Sequence, residues 1–344
     1  MKKLAFALLI LGIGLLGLSG CQRDSGSDAQ TINMVISPYQ DLAMIVNAGP
    51  LGLEQKYGTK LKIRTIPWQD TLPSLISAEG GVDLGFASLS EFLAKEPNLN
   101  RGTKDPLLFV FPAYVFKGGA FVTFRKDLGP IWADGRFQEG PMRAFLASRI
   151  GLSKNTLYQM LVYRFARDAG IAASGLTILD LPFDDALLAA QNGDLDVAAV
   201  GLPQLTEAVK RGATVLFNME DIGFADITGF AARRSVLDKK GPAITSVIRM
   251  WFDSVAYVMG DIDTNSAVSL DYLAKNAATR YTHDEYKRAL GFEYFPTSIA
   301  EARQSMIDPK GKYYYEPIYR AVVDFLVQEG AADKVPPPQF LDLY

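Results

Sequence analysis

The side-chain types that most often serve as nucleophile, general base or soft metal ligand occur once each in this chain, as Cys21 and His283. A single cysteine cannot form an internal disulfide, and a single histidine has no second imidazole with which to build a metal cluster. His283 stands in Tyr281-Thr-His-Asp-Glu-Tyr286, near the start of a helical stretch rich in charge, and reads as an exposed surface residue. Gly12-Ile-Gly-Leu-Leu-Gly17 matches G-x-G-x-x-G letter for letter. It lies in an apolar run with no strand before it and no βαβ unit around it, so it is not a dinucleotide site. The patterns G-x-x-x-x-G-K-[ST], G-x-S-x-G and H-E-x-x-H do not occur. Catalysis by carboxylate, lysine or tyrosine has no local signature. The expectation is a protein with no catalytic residue, no metal and no cofactor.

Cys21 has a different chemistry available. Lys2 and Lys3 precede an unbroken apolar run of 15 residues, Leu4 to Leu18, which closes on Leu18-Ser19-Gly20-Cys21. A basic start, a short apolar core and small residues before a cut site make an export signal, and the run is short of the roughly 20 residues a spanning helix needs. The ending resembles the lipobox of bacterial lipoproteins. That resemblance implies a lipid on Cys21, cleavage just before it, and removal of residues 1–20 as a lipoprotein signal peptide. Residues 21–30 then read as a flexible tether: Gln22 to Gln30 has no apolar side chain larger than alanine, too little to offset ordering entropy. The expected location is extracytoplasmic, with the chain held to a membrane through its lipid anchor.

The 324 residues after the cut carry 33 basic and 38 acidic side chains, a formal charge of −5. No dense basic run is present, so nucleic acid is not expected as a partner. A hydrophobic content of 49% supports a sizeable core, and the length suggests about two domain-sized units.

The elements follow from a weak internal repeat. Leu72 to Ser88 lays over Ala186 to Gly201: a helical segment, a glycine, then Val82-Asp-Leu84 or Leu195-Asp-Val197 opening an apolar strand. Upstream, Thr31 to Ile36 reads as a strand, Asp41 to Tyr57 as a helix stopped by Gly58, and Leu61 to Ile66 as a strand. In the later copy, Asn155 to Ala169 reads as a helix stopped by Gly170, and Leu176 to Leu181 as a strand. Two α/β lobes with parallel sheets are therefore expected. Gly118 to Lys126 and Thr228 to Arg234 read as two strands crossing between them, a two-strand hinge. Lobe one would be residues 31–122 plus 230–344, with lobe two, residues 123–229, inserted.

On Met34 to Gln40, Leu75 to Ala87, Ala189 to Ala199 and Thr228 to Arg234, the chain resembles the periplasmic substrate-binding proteins of ABC importers. Within them it is most similar to the group that takes nitrate, sulfonates, taurine and thiamine-precursor pyrimidines. The resemblance implies a two-lobed periplasmic-binding-protein fold of type II. It also implies a monomer that captures a small molecule and delivers it to an ABC permease and its ATPase. The segment from about Leu270 fits it less clearly, and Lys312-Tyr-Tyr-Tyr315 finds no place in it. The same group includes a fungal pyrimidine-synthesising enzyme branch, whose cysteine-rich motif this chain lacks. A ligand-sensing lipoprotein without transport is the other alternative.

In open α/β sheets, ligands bind beyond the carboxyl ends of the strands. That selects Ser37, Tyr39, Gln40, Trp68, Ser88, Asn155, Thr156, Leu202 and Asp226 as ligand-binding candidates. Ser37, Ser88, Asn155 and Thr156 also suit ordinary helix N-caps. Asp41 reads better as a cap, and Trp251 and Phe252 as core. With many hydroxyl and amide groups, two aromatics and Lys154 as the main base, the loops suggest a compact polar or weakly anionic ligand. A cationic ligand would need an acidic cage built from Asp41, Glu91, Asp184 and Asp226. The lipobox generates its own test: Cys21→Ser should lose membrane anchoring while the body still folds. Cell fractionation would find it soluble outside the cytoplasm or held as precursor, and unchanged processing and membrane attachment would refute the lipid.

Overall fold

The computed structural model describes residues 30–77, 81–277, 280–330 and 335–343. Cys21, the signal segment and the tether up to residue 29 lie outside the described residues. The chain begins with β1 (Gln30–Ile36), α1 (Leu53–Tyr57), β2 (Thr59–Thr65), α2 (Thr71–Ile76), β3 (Leu84–Ser88), α3 (Leu89–Leu99) and β4 (Leu107–Phe116). It continues through β5 (Ala120–Thr123), a small hairpin of β6 (Trp132–Ala133) and β7 (Arg136–Phe137), and α4 (Glu139–Leu146). Next come β8 (Arg149–Leu152), α5 (Leu157–Asp168), β9 (Thr177–Asp180), α6 (Phe183–Asn192), β10 (Val197–Val200), α7 (Leu202–Lys210) and β11 (Thr214–Asn218). It returns as β12 (Asp226–Arg233) and α8 (Arg234–Gly260), then ends in α9 (Ile262–Asn265), α10 (Ala267–Asn276), α11 (His283–Gly291), α12 (Ile299–Ala302) and α13 (Glu316–Gln328).

The strands form two five-stranded sheets of matching order, β2-β1-β3-β12-β4 and β9-β8-β10-β5-β11. The expected parallel sheets are in fact mixed. In each, the fourth strand of that order, β12 or β5, runs antiparallel to its neighbours. It is the strand that has just arrived from the other lobe. The reason is directional: a chain leaving one sheet by the end that faces the other lobe enters the second sheet head-on to its own strands. The expected boundaries move accordingly. β5 lies wholly in sheet two and β12 wholly in sheet one, so the chain crosses at residues 117–119 and 219–225, not after 122 and before 230. The crossings are short loops joined by Met219 N–H donating to Gly119 O at 2.8 Å, and the strands read as the hinge are what each loop leads into.

The repeated aspartates explain the repeat. Asp83 N–H donates to Asn33 O (2.8 Å) while its carboxylate accepts from Asn33 N–H (2.9 Å), pinning β3 beside β1. Asp196 does the same with Arg149 (3.0 and 2.8 Å), pinning β10 beside β8. Each carboxylate also meets a cation: Lys240 at 2.8 Å on Asp83, Arg125 and Arg149 at 3.0 and 3.1 Å on Asp196. The apolar strands between bury Met34, Val35, Leu84 and Phe86 in lobe one, and Ile150, Val197 and Ala199 in lobe two. Trp251 and Phe252 of α8 are core residues, as expected, and Trp251 lies edge-on to Phe86 at 5.0 Å.

The Arg149 and Arg125 guanidinium groups, with the backbone N–H of Arg149, hold the Asp196 carboxyl down at about 2. Because this lies below the unfolded value, its stabilisation is present above pH 4 and is lost as pH falls from about 4 through 2. Asp196→Asn should cost about 1–2 kcal/mol in urea unfolding at pH 7 and flatten the acid limb of the stability curve between pH 4 and 2. An unchanged midpoint at pH 7 would show that the pairing contributes nothing.

Candidate functional site

The loops after β1, β2, β3, β8, β9 and β10 converge between the lobes around a cavity of about 110 Å³. The β1 loop supplies Tyr39, Gln40 and Asp41. Asp41 caps a 3-10 turn, accepting from Leu42 N–H (2.9 Å) through one oxygen and from the Tyr114 hydroxyl (2.5 Å) through the other. Burial pushes its carboxyl up to about 6, against the pull of those two donors. Beneath it lies Glu293, also buried, whose Oε2 accepts from the backbone N–H of Lys117 in the first crossing (3.0 Å). Its Oε1 has no hydrogen-bond partner among the described residues. Burial, then the charge of Asp41, holds the Glu293 carboxyl well above the usual range.

After β2, Trp68 stacks on Tyr39 with ring centroids 6.1 Å apart and planes 24° from parallel. Its indole N–H donates to Glu91 Oε2 (2.8 Å), and Glu91 Oε1 takes Lys95. One ring orientation is thereby fixed from two sides. After β3, Ser88 caps α3, accepting from Glu91 N–H (3.3 Å) and donating to Asp226 Oδ2 (2.5 Å). Asp226 also accepts from the Ser90 hydroxyl, from Ser90 N–H (3.2 Å) and from Ile227 N–H (2.8 Å). Burial raises its carboxyl, and those donors oppose the rise.

Lobe two closes the cavity with Thr156, Leu157, Tyr158, Phe183, Asp184 and Leu202. Tyr158 donates to Val200 O (2.9 Å) and meets Phe183 edge-on at 5.1 Å. The first crossing runs against this wall, and Gly118 and Gly119 are required there by close approach. A Cβ on Gly118 would lie 2.3 Å from Leu202 Cγ, and one on Gly119 2.5 Å from the Tyr158 hydroxyl. The lobes also touch outside the cavity. Lys210 of α7 pairs with Glu285 of α11 at 2.9 Å, and Tyr163 of α5 meets Phe325 of α13 at 5.7 Å.

Of the candidates read from sequence, Tyr39, Gln40, Trp68, Ser88, Thr156, Leu202 and Asp226 line the cavity. Ser37 and Asn155 do not. Ser37 is buried under the loop, and Asn155 is exposed in a left-handed conformation (φ 56°) with its N–H on Gln159 Oε1 at 2.7 Å. Lys154, the expected base, is exposed and outside the lining. Sequence reading missed Tyr114 and Phe116, which reach the cavity from β4 because that strand ends at the crossing, not at a helix. His283 opens α11 at the surface, as expected. Among the described residues, no group of three or more metal-ligating side chains is placed to hold an ion.

Acids outnumber bases in the lining. It contains four carboxylates, Asp41, Glu91, Asp184 and Asp226, against one cationic side chain, Lys95, already paired with Glu91.

No protein-family model matches the chain, and no curated protein sequence matches it. Solved structures do. The aliphatic sulphonate binding protein SsuA of Escherichia coli is 17% identical, with a TM-score of 0.63 over 89% of this chain and 94% of its own. The alkanesulfonate-binding SsuA of Xanthomonas axonopodis pv. citri, solved with MOPS, is 19% identical (TM-score 0.62; 89% and 96%). The nitrate-binding NrtA of Synechocystis is 14% identical (TM-score 0.64; 89% and 83%). With two sheets of matching order, two crossings and a cavity between the lobes, the chain has the periplasmic-binding-protein fold of these structures.

Proposed function

We propose that this chain is the solute-binding component of an ABC importer, an extracytoplasmic lipoprotein that passes a small molecule to a permease and its ATPase. The observation that carries this reading is the cavity itself. Its walls come from both lobes, which also meet outside it at Lys210–Glu285 and Tyr163–Phe325, so a ligand seated in it touches both lobes, and residues 117–119 and 219–225 are the segments about which the lobes would part. Work is done by differential affinity: a ligand that touches both lobes favours the closed arrangement, and a partner that binds the lobes apart releases it. The Lys210–Glu285 pair is partly exposed and contributes little by itself, so closure without ligand is reversible. Export and tethering rest on the N-terminal pattern around Cys21. The single histidine lies outside the cavity, which supports binding without turnover.

Small-angle scattering should show the radius of gyration fall when the co-purifying small molecule is added back to stripped protein; a stripped protein that binds it with no change in radius would refute closure. The aromatic wall can be measured by calorimetry with the same molecule. Trp68→Ala and Tyr39→Ala should each weaken binding by about 1–3 kcal/mol, the scale of uncovering one large ring. Full affinity in both variants would remove that wall from the site. His283→Ala should change affinity and stability by no more than about 0.5 kcal/mol, and a larger loss of binding would revive an active role for the imidazole.

A further inference from the structure

The charge the cavity suits follows from which of its groups are already paired. Of the helix starts that line it, α5 and α7 carry no acid in the first turn, whereas α3 and α6 do. Backbone N–H groups at a helix start favour an anion. At α3 those donors, together with the Ser88 and Ser90 hydroxyls, are taken by the chain's own Asp226 carboxylate. At α6 the first turn already carries Asp184 and Asp185. Lys95, the only cationic side chain in the lining, is held by Glu91. No cationic side chain of the lining is then left unpaired for a sulfonate or nitrate, which would have only the starts of α5 and α7 to meet it.

The same inventory suits the opposite charge. Asp41 lies buried with two donors on two oxygens, leaving lone pairs unused, and no cationic side chain pairs with it. Facing it are Glu293 from below, Tyr39 on its own loop, Tyr114 from β4 and Tyr281 from the C-terminal segment, none of them basic. The nearest ammonium in the crossing, Lys117, is directed to Glu220 at 3.2 Å. Around these acids stand the rings of Tyr39, Trp68, Tyr114, Tyr158 and Phe183. Aromatic faces attract desolvated cations, and acids beside them supply the counter-charge.

The geometry points to a compact organic cation, with its charge on nitrogen, as the ligand of this cavity, seated beside Asp41 and the rings of Tyr39 and Trp68. The inference rests on the solute-binding reading above. A space of about 110 Å³ limits the cationic group to the size of a small methylated or planar ammonium, since roughly 150 Å³ of apolar cavity takes benzene.

Calorimetry on the full-length chain in detergent tests it with three probes of similar size: tetramethylammonium, its uncharged shape-mimic tert-butanol, and ethanesulfonate. Tetramethylammonium should bind at least 10-fold more tightly than either of the others. Asp41→Asn should lower that affinity 10-fold or more, and Trp68→Ala should lower it independently, with unfolding midpoints checking that both variants fold. Ethanesulfonate or tert-butanol binding as tightly as the cation would overturn the inference, as would an affinity unchanged in both variants. If no probe binds while the chain still closes on an anionic or uncharged co-purifying compound, this assignment falls and the solute-binding reading stands. A chain that neither closes nor carries a small molecule would remove both.

Discussion

A buried carboxylate at the point of return holds the molecule's geometry together. Asp226 opens β12, and its two oxygens take the hydroxyls of Ser88 and Ser90 and the backbone N–H groups of Ser90 and Ile227. Those donors belong to the first turn of α3 and to the strand arriving from lobe two. One side chain therefore fixes where the second crossing ends, where α3 begins and where β12 enters sheet one, in register with Thr228 opposite Ser88. Truncation would leave several buried donors without an acceptor, a loss larger than that of any one bond. The burial that raises this carboxyl is tolerated because the donors converge on it from two elements that must meet anyway.

The two lobes solve one problem twice. An apolar strand between neighbours on both sides needs no side-chain signal to be buried, but it needs one to set its register. Asp83 and Asp196 provide it, each exchanging two hydrogen bonds with the neighbouring parallel strand, β1 or β8, and each paired with a cation. This is the physical role of the Φ-Asp-Φ pattern that the two copies share.

That pattern made the lobes legible, since period, glycine and aspartate are all local. What was not legible is non-local. Asp41 to Tyr57 reads as one helix, but Gly49 and Pro50 break it into a 3-10 turn, Leu42–Ala48, and the short α1; Gly52 turns the chain at φ 67°. Tyr114 was hidden because an apolar strand says nothing about which of its ends faces a cleft. Residues beyond Leu270 were unreadable because they buttress lobe one at many separate points. Tyr294 bridges to Val115, Tyr313 packs on Tyr294, Tyr315 packs on Phe340, and Phe295 stacks on Tyr114 at 5.1 Å. The Lys312-Tyr-Tyr-Tyr315 run is thus packing material for the C-terminal segment. The four acids named from sequence as a possible cage are scattered from Asp41 to Asp226 and form a group only once both sheets have brought them together.

The acids also connect the cavity to the crossings. Tyr114 donates to Asp41 while its ring rests on Phe295, two residues from Glu293, and Glu293 in turn holds the backbone of Lys117 at the first crossing. Two buried carboxyls, both raised by desolvation and the second also by the charge of the first, lie along this chain of contacts. This chain of buried bonds joins the cavity's lining to the backbone of the crossing, so a change of charge at Asp41 is felt where one lobe passes into the other.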